Sequence, residues 1–304
     1  MTSETEDEGR KADGGGVTPP ASGFRLPTSV SHRQALAAAT ALLRAAGSES
    51  PRLDAEVLLA HVRGWDRARL YAGLAEPLAA GDAAAFAALV ERRAAGEPVA
   101  YLTGHREFMG LDFAVGPGVL VPRPETECLV EWLLARARGR WPAPRVADVG
   151  TGSGAIALAL AYHLPGARVV GVERSAAALA YAAENRRLGL ARRVALVRGD
   201  LLGPVGAVDV VAANLPYLRP AQMHRGIAAE PREALLGGAD GLDAYRALLP
   251  QAAARLATPG LLALELDPGQ AAALAALCRA AFPGAAVDVG HDLAGLARFV
   301  TVER

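Results

Sequence analysis

Val146-Ala147-Asp148-Val149-Gly150-Thr151-Gly152-Ser153-Gly154 decides the fold. A short apolar run breaks into three glycines separated by small polar residues, and an apolar stretch, Ala155 to Tyr162, follows. That order predicts strand, tight turn, helix. Glycines at such a turn let a ligand approach the backbone closely. Working outward, strand-like runs lie at Arg145–Val149, Arg168–Glu173, Val194–Arg198, Val208–Ala213, Leu261–Leu266, Ala286–Val289 and Arg298–Val302. Helices start near Ala155, Ser175, Asp243 and Pro268. Such alternation predicts an α/β fold, a mostly parallel seven-stranded sheet covered on both faces. The last two runs leave no room for a crossover helix, so they pair antiparallel.

Upstream the pattern changes. Residues 1–28, rich in Gly, Ser, Thr, Pro and acidic residues, read as a flexible tail. Residues 29–96 read as a small helical bundle. Its helices are Gln34 to Ala46, one from Ser50-Pro51 with Leu53, Val57, Leu58 and His61 on one face, Asp66 to Tyr71, and one capped by Asp82 with Phe86, Leu89 and Val90 inward. After the break at Gly96-Glu97-Pro98, residues 97–124 form a linker with a β-hairpin turning at Met109-Gly110. Pro122-Arg123-Pro124-Glu125-Thr126-Glu127 reads as a stiff polar loop before a helix from Cys128 to Arg138. Residues 125–304 complete the sheet domain.

The chain has 304 residues, 52% of them hydrophobic, and a formal net charge of +0. A sizeable core is expected, and nothing global calls for nucleic acid or an anionic membrane. Cys128 and Cys278 match no metal or redox spacing, and Met1 to Gly16 has no apolar core of a secretory signal. No uninterrupted apolar run approaches the ~18 residues of a membrane span. A cytoplasmic protein, without a metal and monomeric, is the expectation.

Glu173 ends the strand after the glycine turn, about where a carboxylate takes ribose hydroxyls. A dinucleotide site wants Gly-x-Gly-x-x-Gly; this chain has Gly-x-Gly-x-Gly with Asp148 just before it. A carboxylate repels a diphosphate and attracts an ammonium group, which favours S-adenosylmethionine (SAM). Asp200 is placed to accept from the adenine amino group, with Leu201 packing on the ring; a plain turn Asp after Gly199 is the alternative. Asn214-Leu215-Pro216-Tyr217 ends the next strand. The Asn214 side-chain oxygen and the Leu215 carbonyl can each accept one N–H of an NH2 group. Pro216 biases Leu215 toward an extended conformation, and Tyr217 offers an aromatic face. The bland alternative is a strand-ending turn. Phe108 and the Arg123-Pro124-Glu125 run close over cofactor or substrate, with hairpin packing an equal alternative for Phe108.

These motifs together resemble a Rossmann-like class I SAM-dependent methyltransferase acting on nitrogen. More specific are Gly96-Glu97-Pro98-Val99-Ala100-Tyr101-Leu102-Thr103-Gly104, Arg106-Glu107-Phe108, Val121 to Glu127, Glu230-Pro231-Arg232, Gly237 to Asp243 and Asp292-Leu293-Ala294-Gly295. They resemble the release-factor glutamine methyltransferases (HemK-type) over about Ser31 to Val300. That resemblance implies methylation of the glutamine in the Gly-Gly-Gln motif of class 1 peptide-chain release factors. It implies that Gly150, Thr151, Gly152, Ser153 and Gly154 line SAM, that Glu173 holds the ribose and Leu201 lies by the adenine. Asn214 to Tyr217 would hold the glutamine, and the bundle would dock the release factor. Three motifs depart from the family's pattern. Leu215 stands where it usually has proline, which predicts weaker preorganisation; Asn-Leu-Pro-Tyr also occurs in ribosomal-RNA adenine dimethyltransferases. Glu265-Leu266-Asp267 replaces the usual Glu-Ile-Gly, and Met109 replaces an aromatic. Rival readings are methylation of a ribosomal-protein glutamine or of an adenine in RNA or DNA, and a non-catalytic SAM-binding translation factor.

Overall fold

A computed structural model describes residues 23–187 and 193–304. Most of the expected tail lies outside the described residues. Its last residues are not free, however. Phe24 and Leu26 pack on the helical bundle, and the Phe24 amide donates to the Glu91 carboxylate. Two apolar side chains with a core to join outweigh the polar composition around them.

The bundle comprises α1 (His32–Ala45), α2 (Pro51–Arg63), α3 (Arg67–Ala72), α4 (Ala80–Ala94) and the single turn α5 (Val99–Thr103). Ser31 and Gln34 form a capping box at the start of α1, and Asp66 caps α3. Two expectations fail. Asp82 lies inside the first turn of α4 rather than capping it, and pairs with Arg63. Leu53 is exposed; α2 instead buries Ala55, Leu58 and Leu59, because α1 and α4 pack against that side.

The hairpin pairs β1 (His105–Phe108) with β2 (Leu111–Ala114). Met109 and Gly110 both have positive φ, 52° and 75°, as a two-residue primed turn requires. A methionine there is strained; Glu127 helps hold it by accepting the Met109 amide at 2.7 Å. Glu127 belongs to α6 (Pro124–Ala137), which starts earlier than expected. Much of the supposed polar loop is therefore the first turn of a helix, with Pro124 at a position that needs no amide donor.

The main sheet contains β3 (Arg145–Val149), β4 (Arg168–Glu173), β5 (Val194–Arg198), β6 (Val208–Ala213), β7 (Leu256–Glu265), β8 (Ala286–His291) and β9 (Ala297–Glu303). Their order is β5-β4-β3-β6-β7-β9-β8. Pairing is parallel from β5 to β7, and β9 runs antiparallel to both β7 and β8. Intervening helices are α7 (Ala155–His163), α8 (Ala176–Asn185), α9 (Arg232–Leu235), α10 (Asp243–Arg255) and α11 (Ala271–Ala281). Alternation along β6 shows how two faces are covered. Val210 and Ala212 join the core under α6 and α7, whereas Val211 and Ala213 join the core under α10 and α11. Among the described residues, no helix is long and apolar enough to cross a membrane.

Candidate active site

β3 and β6 are neighbours, with Val149 opposite Ala213. Gly150 and Asn214 therefore leave the sheet side by side. Strand order reverses here, since β4 and β5 lie on one side of β3 while β6 and β7 lie on the other. Open α/β sheets bind ligands at such a switch point. A cavity of about 390 Å³ fills the crevice, within the usual range for small-molecule sites.

On the β3 side, the glycine turn forms the wall. Gly152 has φ +55°, and a Cβ built on it would find no atom closer than 3.9 Å. A Cβ there would make only ordinary contacts; it is the left-handed backbone conformation that suits glycine. Glu173 accepts from the Gly152 amide at 3.0 Å and from the Ser175 amide at 2.8 Å. Those bonds fix its carboxylate on the cavity wall, with lone pairs left for hydroxyl groups. Asp200 and Leu201 line the cavity one strand further on, Leu201 in the left-handed region at φ +49°. A carboxylate for a diol, a second carboxylate and apolar side chain beyond it, and a glycine turn on the cavity wall fit an adenosine-bearing ligand such as SAM.

Asp148 stands elsewhere. It is fully buried behind the turn, where Oδ2 accepts from the Thr151 hydroxyl at 2.5 Å and the Ala157 amide at 3.0 Å. Burial pushes its carboxyl up to about 7, against the pull of both donors, and Oδ1 has no partner. It braces the turn and the start of α7 from behind. Gly154 also lies outside the cavity wall and begins α7.

On the β6 side, Asn214, Leu215 and Pro216 line the cavity. Asn214 Nδ2 donates to Thr126 Oγ1 at 3.2 Å, which leaves Oδ1 free to accept. The Tyr245 hydroxyl lies 3.4 Å from the Leu215 carbonyl, but its one proton has a better acceptor, the Glu265 carbonyl at 2.5 Å. Both acceptors at the end of β6 thus remain available. The Leu215 side chain is buried against Gly150, where a Cβ would approach it to 2.9 Å. The two loops are packed on each other.

Tyr217 does not line the cavity; its hydroxyl donates to Glu265 Oε1 at 3.1 Å. Burial raises the Tyr217 phenol far above its ordinary range, so it stays a donor. Arg123 is likewise off the wall and pairs with the buried Glu230 at 2.5 Å. Phe108 lines the cavity and meets Phe113 edge-on at 6.2 Å, a position that suits either reading.

Sequence reasoning missed Thr126, which lines the cavity, and Glu265, which lies behind it. It also missed the wall that includes Glu233, Gly237 and Asp243. The signal for that wall was present as the Glu230–Arg232 and Gly237–Asp243 motifs, to which no chemistry attaches before the chain is folded. Among the described residues, no cluster of His, Cys, Asp and Glu could hold a metal ion.

The chain is similar to known proteins over most of its length. Residues 34–104 match the PrmC N-terminal domain, and residues 124–234 match the methyltransferase small domain. The release factor glutamine methyltransferase of Moorella thermoacetica is 51% identical over 254 residues, 82% of this chain and 89% of that protein. Its counterpart in Bradyrhizobium diazoefficiens is 44% identical over 273 residues, 87% of this chain and 92% of that protein. A solved structure from Alicyclobacillus acidocaldarius, a release factor-specific protein-(glutamine-N5) methyltransferase, is 31% identical with a TM-score of 0.40, covering 63% of this chain and 99% of that one. At such identity over most of both chains, the protein belongs to the release factor glutamine methyltransferase family.

Proposed function

We propose that this protein methylates the side-chain amide nitrogen of the glutamine in the Gly-Gly-Gln motif of class 1 peptide-chain release factors, using SAM, in the cytoplasm. Bound over the glycine turn, SAM supplies an already activated sulfonium methyl. Gly150 to Ser153, Glu173, Asp200 and Leu201 would hold it.

An amide nitrogen is a poor nucleophile, so this chain's contribution is to orient it. Asn214 Oδ1 and the Leu215 carbonyl would each accept one N–H, which turns the nitrogen toward the neighbouring loop. Both bonds strengthen as positive charge develops on nitrogen, and such bonds stabilise the transition state selectively. The nitrogen would gain the methyl group as that group's bond to the sulfonium sulfur breaks, leaving a neutral thioether, and would release one proton to solvent. The helical bundle would dock the body of the release factor.

The observation that supports this reading best is the state of Asn214. Its NH2 is engaged with Thr126 and its oxygen is free on the cavity wall beside the glycine turn. The test incubates the protein with methyl-labelled SAM, a purified release factor and bare ribosomal RNA. Label on the release-factor glutamine is expected; label on RNA alone would reverse the assignment. Asn214→Ala should lower turnover by roughly 100-fold or more.

A further inference from the structure

Asp292-Leu293-Ala294-Gly295 lies in the turn between β8 and β9, and the function proposed above gives it no task. The turn is tightly built. Asp292 Oδ1 accepts from the Ala294 and Leu296 amides, each at 2.9 Å, and Oδ2 accepts from Arg298 Nε at 2.7 Å. The Asp292 amide donates to the Leu296 carbonyl and the Gly295 amide to the Asp292 carbonyl, both at 2.9 Å. Gly295 closes the turn at φ +79°, in the left-handed region. On this ordered frame Leu293 is fully exposed and Leu296 is 48% exposed. Among the described residues, five large apolar side chains stand exposed, and two of them share this tip. A lone exposed leucine needs no explanation. An apolar pair held out on a hydrogen-bonded turn is different, because a partner can cover it at little further ordering cost.

Sheet register places the tip. β9 runs antiparallel to β7, and β7 runs parallel to β6, so the β8–β9 turn emerges from the edge where β6 ends in the clamp. Ala213 lies beside Leu264, and Leu264 beside Val300. One step further out, level with Asn214, Glu265 lies beside Phe299. Beyond that row the Leu266 amide still donates to the Arg298 carbonyl at 2.9 Å, and the tip extends past it. β9 is two strands across from β6, on the order of 10 Å at the usual strand spacing. Arg298, at the root of the tip, pairs with Asp292 and lies 3.8 Å from Glu125, the neighbour of Thr126 on the cavity wall.

We infer that the β8–β9 tip is a docking contact for the protein that carries the glutamine: Leu293 and Leu296 pack on an apolar surface of the release factor beside its Gly-Gly-Gln loop. The inference rests on the function proposed above. A glutamine that reaches Asn214 belongs to a folded protein wider than the cavity, and the body of that protein must overhang the sheet edge. The tip stands under the overhang. Asp292 and Arg298 neutralise each other at its base, so it suits an apolar patch rather than a phosphate backbone. Neither leucine would touch the reacting atoms. Their loss should weaken capture of the release factor and spare both the chemical step and the cofactor.

The test compares Leu293→Ser/Leu296→Ser with the wild type in methyl transfer to an intact release factor. KM for the release factor should rise about ten-fold, the scale of giving up one buried leucine, with kcat, SAM affinity and melting temperature near the wild-type values. Should the double variant melt lower, Leu293→Ser alone carries the comparison. Leu293→Met/Leu296→Met, which keeps the apolar area, should hold KM near the wild type. Independently of turnover, benzoylphenylalanine in place of Leu293 should cross-link under ultraviolet light to the release factor, in the segment flanking Gly-Gly-Gln. An unchanged KM in the serine variants overturns the inference, and so does a cross-link to a second copy of this chain or none to the release factor. Were the wild type itself to label no release factor, the proposed function would fall, while the cross-link still decided whether the tip docks that protein.

Discussion

Asp148 shows how a residue legible in the sequence acquires a different task in the fold. Standing just before the glycines, it reads as a group facing the ligand. The fold turns it inward, because the first turn of α7 folds back over it and donates the Ala157 amide. Burial then pushes its carboxyl up to about 7. A carboxyl raised in the folded state above its unfolded value of about 3.9 stabilises most when protonated in both states. That contribution is present below about pH 4 and is lost as pH rises through about 7. The wild-type melting temperature should therefore fall from pH 5 to pH 8, with Glu265, which burial also pushes up to about 7, adding to the slope. Asp148→Asn, a neutral mimic of the protonated acid, should flatten that slope, as pH-resolved thermal melts can check. Equal slopes in variant and wild type would mean that Asp148 is ionised in the folded protein.

Strand and helix content was largely legible because the periodic signal is local, as in β6, where five of six residues are apolar. Element boundaries were less so. Two prolines and two glutamates made Pro122–Glu127 look like a loop, although proline and acidic residues also suit the first turn of a helix. That misreading hid Thr126. A second element-scale feature shows itself only in three dimensions. Gly237 packs on the backbone of the clamp, where an added Cβ would lie 2.3 Å from the Pro216 carbonyl oxygen and 2.8 Å from that of Gly241. Neither atom is the end of a flexible side chain, so the backbone would have to move. Gly237→Ala should shift Leu215 and Pro216, and a displacement near 1 Å at a positioning group costs on the order of 100-fold in rate. SAM affinity, set mainly by the opposite wall, should fall far less. Turnover and calorimetric SAM binding on the same preparation separate the two, and normal turnover would show that the clamp tolerates the shift.

At the scale of the molecule, strand order and the contacts between bundle and sheet domain lie beyond any local pattern. The glycine turn and the Asn214 run are separate in sequence, and only the placement of β3 beside β6 makes them one site. The bundle is joined to that site through Arg225, on the segment that follows the clamp. Its guanidinium Nη2 donates to the Ala94 carbonyl at 2.7 Å, at the C-terminal end of α4, where a cation is favoured. A hydrogen bond from a charged group contributes about 1.5–3 kcal/mol, enough to hold the bundle at a set distance from the cavity. If the bundle docks the release factor while the cavity receives its glutamine, loosening that joint should weaken capture of the whole protein substrate. Arg225→Ala should then raise KM for the release factor by roughly ten-fold, with SAM affinity unchanged. Turnover of a short Gly-Gly-Gln peptide, too small to reach the bundle, should be affected far less. Equal losses for peptide and intact factor would place the effect at the cavity wall and remove the bundle from substrate docking.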